Sequence, residues 1–179
     1  AFQEYVRTYI TGDVEYFSLL RPWSELQIAK MFVDLAVYDS YATSCNTNWK
    51  ILAKDSLSPR PARMTRPARP VSGWSDGEKV RERGHALWCN KCPKCAFVFA
   101  LMAPFLPRST VERIFGKNLF ADETLLRLYR ELLGLEGLKP FECVGTPEET
   151  KAALMLAQET GEWDDTAVMK MFMKNILPS

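Results

Sequence analysis

"WCNKCPKCAFVFALMAPFLP", residues 88–107, places three cysteines, each separated from the next by two residues, directly before a run of apolar side chains. A C-x-x-C turn brings two sulfurs close enough to share one ion, and a third cysteine can join them from the first turn of the following helix. The apolar stretch, residues 96–105, is about half of the roughly 20 residues that a membrane span needs. The segment therefore predicts a metal-binding knuckle that opens a buried helix.

The predicted metal is structural zinc. Cys89, Cys92 and Cys95 supply three thiolates, and a tetrahedral zinc site needs a fourth ligand. We predict Cys45, in the polar turn "TSCN", as that ligand, with His85 and Cys143 as alternatives. Three close cysteines also suit an iron–sulfur cluster, so this alternative stays open.

The remaining sequence predicts a mainly α chain. Ser24 and Gln27 form a capping box before a helix with apolar residues at helical spacing. Ser109 with Glu112 predicts a second capping box. Further helices are predicted after Asp122, after Thr146 and over residues 165–175, whereas "VEYFSLL", residues 14–20, predicts a strand.

Composition divides the chain into three parts. Residues 1–53 form the first part, and residues 88–179 form the knuckle with its helical region. Between them, residues 54–87 are rich in Pro, Arg and Ser and nearly lack aliphatic side chains, which predicts a basic insertion or mobile loop. Its arginines could contact RNA, but a solvated insertion is the favoured interpretation, because only one tryptophan could stack on bases.

Charge and cysteine content limit the functional class. The 179 residues carry a formal net charge of +1, so no overall attraction to nucleic acid or an anionic membrane is expected. The start lacks a signal-peptide pattern, which predicts a cytoplasmic protein with reduced cysteines. The start also lacks an initiator Met, so we expect a piece of a longer protein.

Four segments carry a family resemblance: "YFSLLRPWSELQIAKMF", "TSCNTNWKI", "LWCNKCPKCAFVFALMAPFL" and "KPFECVGTPEE". Together they resemble the bacterial UDP-N-acetylmuramoyl-L-alanyl-L-glutamate epimerases, the MurL family. A more distant resemblance is to the C-terminal half of 7-cyano-7-deazaguanine synthases and other ATP-pyrophosphatase-type enzymes, in which four cysteines bind zinc. The resemblance implies the helical C-terminal portion of an α/β, adenine nucleotide α-hydrolase-like enzyme, with residues 1–53 as the end of its nucleotide-binding-type α/β region.

The resemblance implies an ATP- and Mg²⁺-dependent epimerase of a peptidoglycan precursor. The α-carboxylate of the terminal L-Glu of the UDP-sugar peptide would be adenylated, its Cα proton would be removed and returned on the other face, and the adenylate would be hydrolysed, which leaves D-Glu at the end of the peptide. The Ser-Gly-Gly-x-Asp-Ser loop that grips ATP in such enzymes is expected upstream and does not occur in this chain. We therefore expect the chain to need an upstream nucleotide-binding half and to be inactive alone.

Candidate site residues surround the first predicted helix start and the Cys45 turn. Six are predicted to contact substrate: Arg21, Ser24, Asn46, Asn48, Trp49 and Lys50. The cations could pair with carboxylate or phosphate, and a helix start favours anions through its backbone amides. Glu25 and Cys143 are the candidate catalytic groups. Each of these residues also has a purely structural interpretation, as cap, core or surface charge.

Two other functions fit the same sequence. A nucleobase- or tRNA-modifying ATP pyrophosphatase would use the arginine-rich loop to contact RNA. A non-catalytic, zinc-stabilised interaction module would use that loop to bind a protein partner. The segments around residues 24–30 and 141–145 favour the epimerase.

Overall fold

The computed structural model of the protein describes residues 2–35, 43–45, 47, 87–140 and 144–176. These residues contain helices and no β-strand, so the predicted mainly α fold is confirmed for them. The α-helices are α1 Phe2–Tyr9, α2 Glu25–Val33, α3 Pro93–Met102, α4 Arg108–Phe115, α5 Leu126–Leu132, α6 Pro147–Glu159 and α7 Ala167–Ile176. A 3₁₀ turn, Glu123–Leu125, leads into α5.

Helix α3 lies at the centre of the core because it is apolar on every side. Helices α2, α4, α5 and α6 all pack against it. The ring of Phe99 meets three other buried rings edge to face, with centroid distances of 5.1 Å to Phe115, 4.8 Å to Phe120 and 5.5 Å to Trp163. The indole Nε1 of Trp163 donates to the carbonyl of Ala103 at 3.2 Å, so the buried polar end of this ring is satisfied.

Local capping signals place three of the four helix starts that were predicted from them correctly. The Ser24 side chain accepts from the Gln27 amide at 3.2 Å, and Gln27 Oε1 accepts from the Ser24 amide at 2.9 Å. Asp122 and Thr146 cap their helices as predicted. Such contacts join residues two or three positions apart, so they can be predicted from the local sequence without knowledge of the tertiary fold.

The predicted capping box of Ser109 and Glu112 is wrong. Helix α4 begins at Arg108, so Ser109 lies inside it, and Pro107 is the residue before the helix. The Arg108 amide donates instead to a carboxylate oxygen of Glu162 at 2.6 Å. Glu112 accepts from Arg108 Nε at 3.0 Å. A carboxylate from a distant loop has replaced the local cap.

The predicted strand over residues 14–20 is also wrong, since this segment is loop and turn. A strand needs a partner for its backbone hydrogen bonds, and the described part of the chain offers no second strand. Among the helices of the described ranges, none combines the length and apolar character needed to cross a bilayer. The proposed insertion lies outside the described residues except for Leu87, so the three-part division stays a prediction.

Candidate metal centre and adjoining cleft

Four cysteine sulfurs meet beside the start of α3. The Sγ atoms of Cys45, Cys89, Cys92 and Cys95 all lie within 4.8 Å of one another. No disulfide joins these four residues. The structure therefore brings Cys45 to the three cysteines of the knuckle across more than forty residues of sequence.

Backbone geometry explains the positions of the three knuckle cysteines. Asn90 has a positive φ of 60°, a conformation that Asn tolerates better than most residues and that turns the chain back between Cys89 and Cys92. Its side-chain amide donates to the Phe115 carbonyl at 2.9 Å, which ties the turn to the end of α4. Cys92 is the N-cap of α3 and Pro93 occupies its first turn, so Cys95 projects from that same turn.

Hydrogen bonds tether the Cys45 segment to the knuckle. The Thr43 hydroxyl donates to the carbonyl of Leu87 at 2.7 Å and accepts from the Cys45 amide at 3.2 Å. The Cys89 amide then donates to Cys45 Sγ at 3.4 Å. This contact places a donor on a sulfur, which favours the thiolate form that binds metal.

The cluster is shielded from solvent, and hydrogen bonds between its thiols shift their pKa values. Cys45 and Cys95 are fully buried, whereas Cys89 is half-buried. Hydrogen bonding with Cys95 lowers the pKa of Cys92 despite its burial. The same shared hydrogen bond, together with burial, raises the pKa of Cys95. A cation at the centre would take the place of the shared protons and hold all four sulfurs as thiolates.

The sulfur separations fit a single ion. Four sulfurs bound about 2.3 Å from one zinc ion in a tetrahedron lie about 3.8 Å from one another. Three of the six Sγ–Sγ distances are 3.5 Å for Cys92–Cys95, 3.7 Å for Cys89–Cys95 and 4.0 Å for Cys45–Cys92, and all six are within 4.8 Å. In a four-iron cluster each cysteine binds a different iron, which holds the sulfurs farther apart than the ligands of one ion. The donor set thus suits zinc better than an iron–sulfur cluster.

A cleft of about 350 Å³ opens where the N-terminal ends of α2 and α6 meet. Polar and apolar groups from three stretches of sequence line it: Trp23, Ser24, Glu25, Lys139, Val144, Gly145, Thr146 and Glu149. Lys139 Nζ donates to the Val144 carbonyl at 3.0 Å, which holds its positive charge at the wall of the cleft. The cleft therefore combines a cation, two carboxylates and an aromatic ring.

Glu149 joins the two helices that form the cleft. Its Oε1 accepts from the Glu25 amide at 2.8 Å, and its Oε2 accepts from the Thr146 amide at 2.9 Å. One carboxylate thus caps α6, on which it lies, and also the first residue of α2, 124 residues away. A Cβ at Gly145 would collide with Glu149 Oε2 and would lie 2.5 Å from Phe97 Cζ. Only glycine leaves room for this arrangement.

Replacing Glu149 should separate the two helix starts. We expect Glu149→Ala to lower the free energy of unfolding by about 1–2 kcal/mol, because two backbone amides lose their acceptor. The Glu25 amide should exchange with solvent faster, which amide hydrogen exchange measures directly. Glu148→Ala is the matched control, since Glu148 lies in the same first turn and is exposed. Equal exchange at Glu25 in both variants would contradict the link.

The cleft also connects to the cysteine cluster through α3. Cys95 and Phe97 lie two residues apart on this helix, and the ring of Phe97 reaches the backbone of Gly145 in the cleft wall. Trp88, beside Cys89, packs on Phe115 with a centroid distance of 4.6 Å. A bond or ion that joins the four cysteines would therefore also fix the position of α3, the helix that supports the cleft.

Apart from the four clustered cysteines, the predicted site residues separate into three groups. Ser24 and Glu25 line the cleft, whereas Arg21 is exposed in the turn before α2 and is not part of the lining. The others lie outside the described residues: Asn46, Asn48, Trp49, Lys50, His85 and Cys143. Sequence reasoning missed Lys139, Gly145 and Glu149 as cleft residues. The acidic first turn of α6 was visible in the sequence, but its contact with α2 was not.

Comparison with known proteins gives a consistent result. A family model described as "MurL C-terminal domain" matches residues 78–178, more than half of the chain. The UDP-N-acetyl-alpha-D-muramoyl-L-alanyl-L-glutamate epimerase of Xanthomonas oryzae pv. oryzae is 37% identical over 178 residues, which are 99% of this chain and 33% of the relative. The epimerase of the same name from Micromonospora sp. is 44% identical over 155 residues, 87% of this chain and 28% of the relative.

A third relative, the epimerase of the same name from Salinispora tropica, is 43% identical over 154 residues, 86% of this chain and 27% of the relative. The chain thus spans about a third or less of the length of the curated relatives that it matches. No solved structure matches it significantly. On the strength of the matching family model, the chain belongs to the MurL C-terminal domain family.

Proposed function

We propose that this chain is the metal-stabilised C-terminal part of an epimerase of the peptidoglycan precursor pathway. The whole enzyme would convert the terminal L-Glu of UDP-N-acetylmuramoyl-L-alanyl-L-glutamate to D-Glu. The observation that carries the proposal is the match of 178 residues, nearly the entire chain, to a relative named for this epimerisation. All three relatives carry that name, which favours the epimerase over an RNA-modifying enzyme or a binding module.

The metal would be zinc in a structural role. Cys45, Cys89, Cys92 and Cys95 would hold it, and four thiolates leave no open position for substrate. When bound, the ion supplies a rigid crosslink between the Cys45 turn and the start of α3. We place the protein in the cytoplasm, where a reducing environment keeps such thiolates available.

The reaction that we propose needs activation of the substrate's carboxylate. A negative α-carboxylate beside Cα makes the Cα proton very weakly acidic, and its adenylation by ATP with Mg²⁺, which would release pyrophosphate, would remove that charge. We assign the binding of ATP and Mg²⁺ to the part of the relatives' length that this chain does not span. A general base could then remove the Cα proton and a proton could be returned to the opposite face of Cα, after which water would hydrolyse the adenylate and release AMP.

The cleft is our proposed substrate side of the site. Lys139 offers a cation for a carboxylate or phosphate of the substrate, and Trp23 offers an apolar wall. Glu25 is the remaining described candidate for the base, because its exposed side chain lines the cleft while its amide is held by Glu149. Ser24 fixes the start of α2 and so the direction of Glu25.

A chimeric enzyme tests the proposed function. The matched segment of the Xanthomonas oryzae relative is replaced by this chain, and the product formed from UDP-N-acetylmuramoyl-L-alanyl-L-glutamate is hydrolysed for chiral analysis of its glutamate. We expect ATP-dependent formation of D-Glu by the chimera and none by this chain alone. A folded chimera that forms no D-Glu would contradict the assignment.

Variants of the chimera test the base separately. Glu25→Gln should lower kcat by about 100-fold or more while leaving the fold intact, since general base catalysis typically contributes 10²–10⁴-fold. Glu123→Gln is the matched control, an exposed carboxylate that does not line the cleft. Equal kcat values for the two variants would remove Glu25 from the mechanism and leave the epimerase assignment untouched.

A further inference from the structure

Exposed apolar side chains are concentrated at one end of the chain. Of the sixteen large hydrophobic residues that are exposed in the described ranges, twelve lie between residues 2 and 35. The helices of residues 87–176 instead bury most of their apolar groups around α3. Monomeric proteins rarely leave a large contiguous apolar surface in water, and such a surface commonly marks an interaction site.

Four aromatic rings form the most defined part of this surface, which we call the aromatic stripe: Phe2, Tyr5, Tyr9 and Tyr16. The first three follow helical spacing along one face of α1. Ring centroids lie 4.7 Å apart for Phe2–Tyr16 and 5.2 Å apart for Tyr5–Tyr9. Every ring is more than half exposed, so the contacts among the rings leave their outer faces in water.

The stripe does not belong to the hydrophobic core described above. Val6 is the buried residue of α1, and it lies outside the apolar cluster that surrounds α3. The amide of Tyr16 donates to the Gln3 side chain, so the segment that follows α1, residues 10–16, is bound back to α1. Residues 87–176 therefore leave the rings of the stripe largely uncovered.

We propose that the aromatic stripe is the docking surface for the remainder of the enzyme, the part of the relatives' length that this chain does not span. The proposal rests on the proposed function. The length of the relatives supports it: the Xanthomonas oryzae relative matches 178 of the 179 residues of this chain, and about two thirds of the relative's length lies outside that match. Aromatic side chains with a polar tip are well suited to an interface, because they bury a large area and can still hydrogen-bond.

The aromatic stripe is close in sequence to the cleft, so a domain docked on the stripe could contribute to the substrate site. Residues 17–22 continue from Tyr16 to Trp23, which lines the cleft, and include the exposed Phe17 and Leu19. Seven residues of extended chain span at most about 25 Å, so the backbone of Tyr16, the member of the stripe nearest in sequence, lies within that distance of Trp23 at the cleft. A domain on the stripe would stand beside the cleft and could complete a site between the two parts.

Hydrogen exchange of the chimeric enzyme tests this surface. Amide exchange rates of residues 2–16 are compared between this chain alone and the chimera with the Xanthomonas oryzae relative. We expect these rates to be at least about tenfold lower in the chimera. Tyr5→Asp with Tyr9→Asp should abolish the difference. Leu135→Asp with Leu138→Asp is the matched control, because it adds the same charge at exposed apolar positions elsewhere and should leave the protection intact.

Each outcome has a defined meaning. Equal exchange in the chain and the chimera would overturn the docking proposal, even if the chimera formed D-Glu. Protection of these amides without D-Glu formation would support docking and contradict the proposed function. Concentration-dependent protection in the chain alone, with a dimer in light scattering that the Tyr5 and Tyr9 variant breaks, would identify a second copy as the occupant and overturn the proposal.

Discussion

Cys92→Ser is expected to lose its bound metal and most of the stability of the α3 region. Purified protein should contain about one zinc ion per chain, and the variant should contain almost none. A structural zinc site contributes roughly 10–16 kcal/mol of binding free energy to folding in small domains. We expect the variant to be destabilised by at least about 3 kcal/mol, with a Tm lowered by more than about 10 °C.

The reason is the place of Cys92 in the fold. It is the N-cap of α3, and its sulfur lies 3.5 Å from Cys95 and 4.0 Å from Cys45. Serine keeps the backbone geometry and a similar volume, so the loss reports on the sulfur itself. Elemental analysis and thermal unfolding, each before and after treatment with a chelator, measure the two effects.

Cys143→Ser is the matched control for this variant. It also removes one thiol, and Cys143 is the alternative fourth ligand from the sequence. We expect full metal content in Cys143→Ser and loss in Cys45→Ser. Full zinc and an unchanged Tm in Cys92→Ser would refute the four-cysteine site, and the reverse result for Cys45 and Cys143 would refute its fourth ligand.

Trp163→Ala should cause the second largest effect, a loss of about 3–5 kcal/mol in the free energy of unfolding. Trp163 is fully buried and stands edge to face against Phe99 and Phe120. Removing the indole would open a cavity beside α3 and would leave the Ala103 carbonyl without its donor. Arg108 would also lose the ring over which its guanidinium lies at 5.6 Å.

Denaturant unfolding with two companion variants measures this effect. Trp163→Phe keeps an aromatic ring but lacks the indole N–H, so its loss should fall between wild type and Trp163→Ala. Trp23→Ala removes a half-exposed ring of the same size and should cost less than about 1 kcal/mol. A Trp163→Ala protein as stable as Trp23→Ala would show that the aromatic cluster around α3 does not hold the core.

The two variants act at opposite ends of one helix. Cys92 and Cys95 lie at the start of α3, whereas Trp163 bonds to Ala103 just past its end. Phe97 lies between them and contacts the cleft wall at Gly145. The cysteine cluster and the aromatic rings around Phe99 therefore position the same helix, and through it the proposed substrate side of the site.

Local sequence determined the helix starts at Ser24, Asp122 and Thr146, because a cap and its partner amide lie two or three residues apart. It also determined the apolar character of α3 and the three cysteines that precede it. The knuckle could be predicted because a C-x-x-C turn needs no information from the rest of the chain.

The tertiary structure alone decided the contacts that join distant segments. Sequence could propose Cys45, but only the folded chain brings its sulfur to the knuckle, through the hydrogen bond of Thr43 to Leu87. The Arg108 amide at the start of α4 is bound by Glu162, so the prediction of a local cap at Ser109 was wrong. The start of α2 is likewise bound by a distant residue, Glu149, in addition to its local cap. Such contacts depend on how helices pack against one another, and no spacing within one segment encodes that packing.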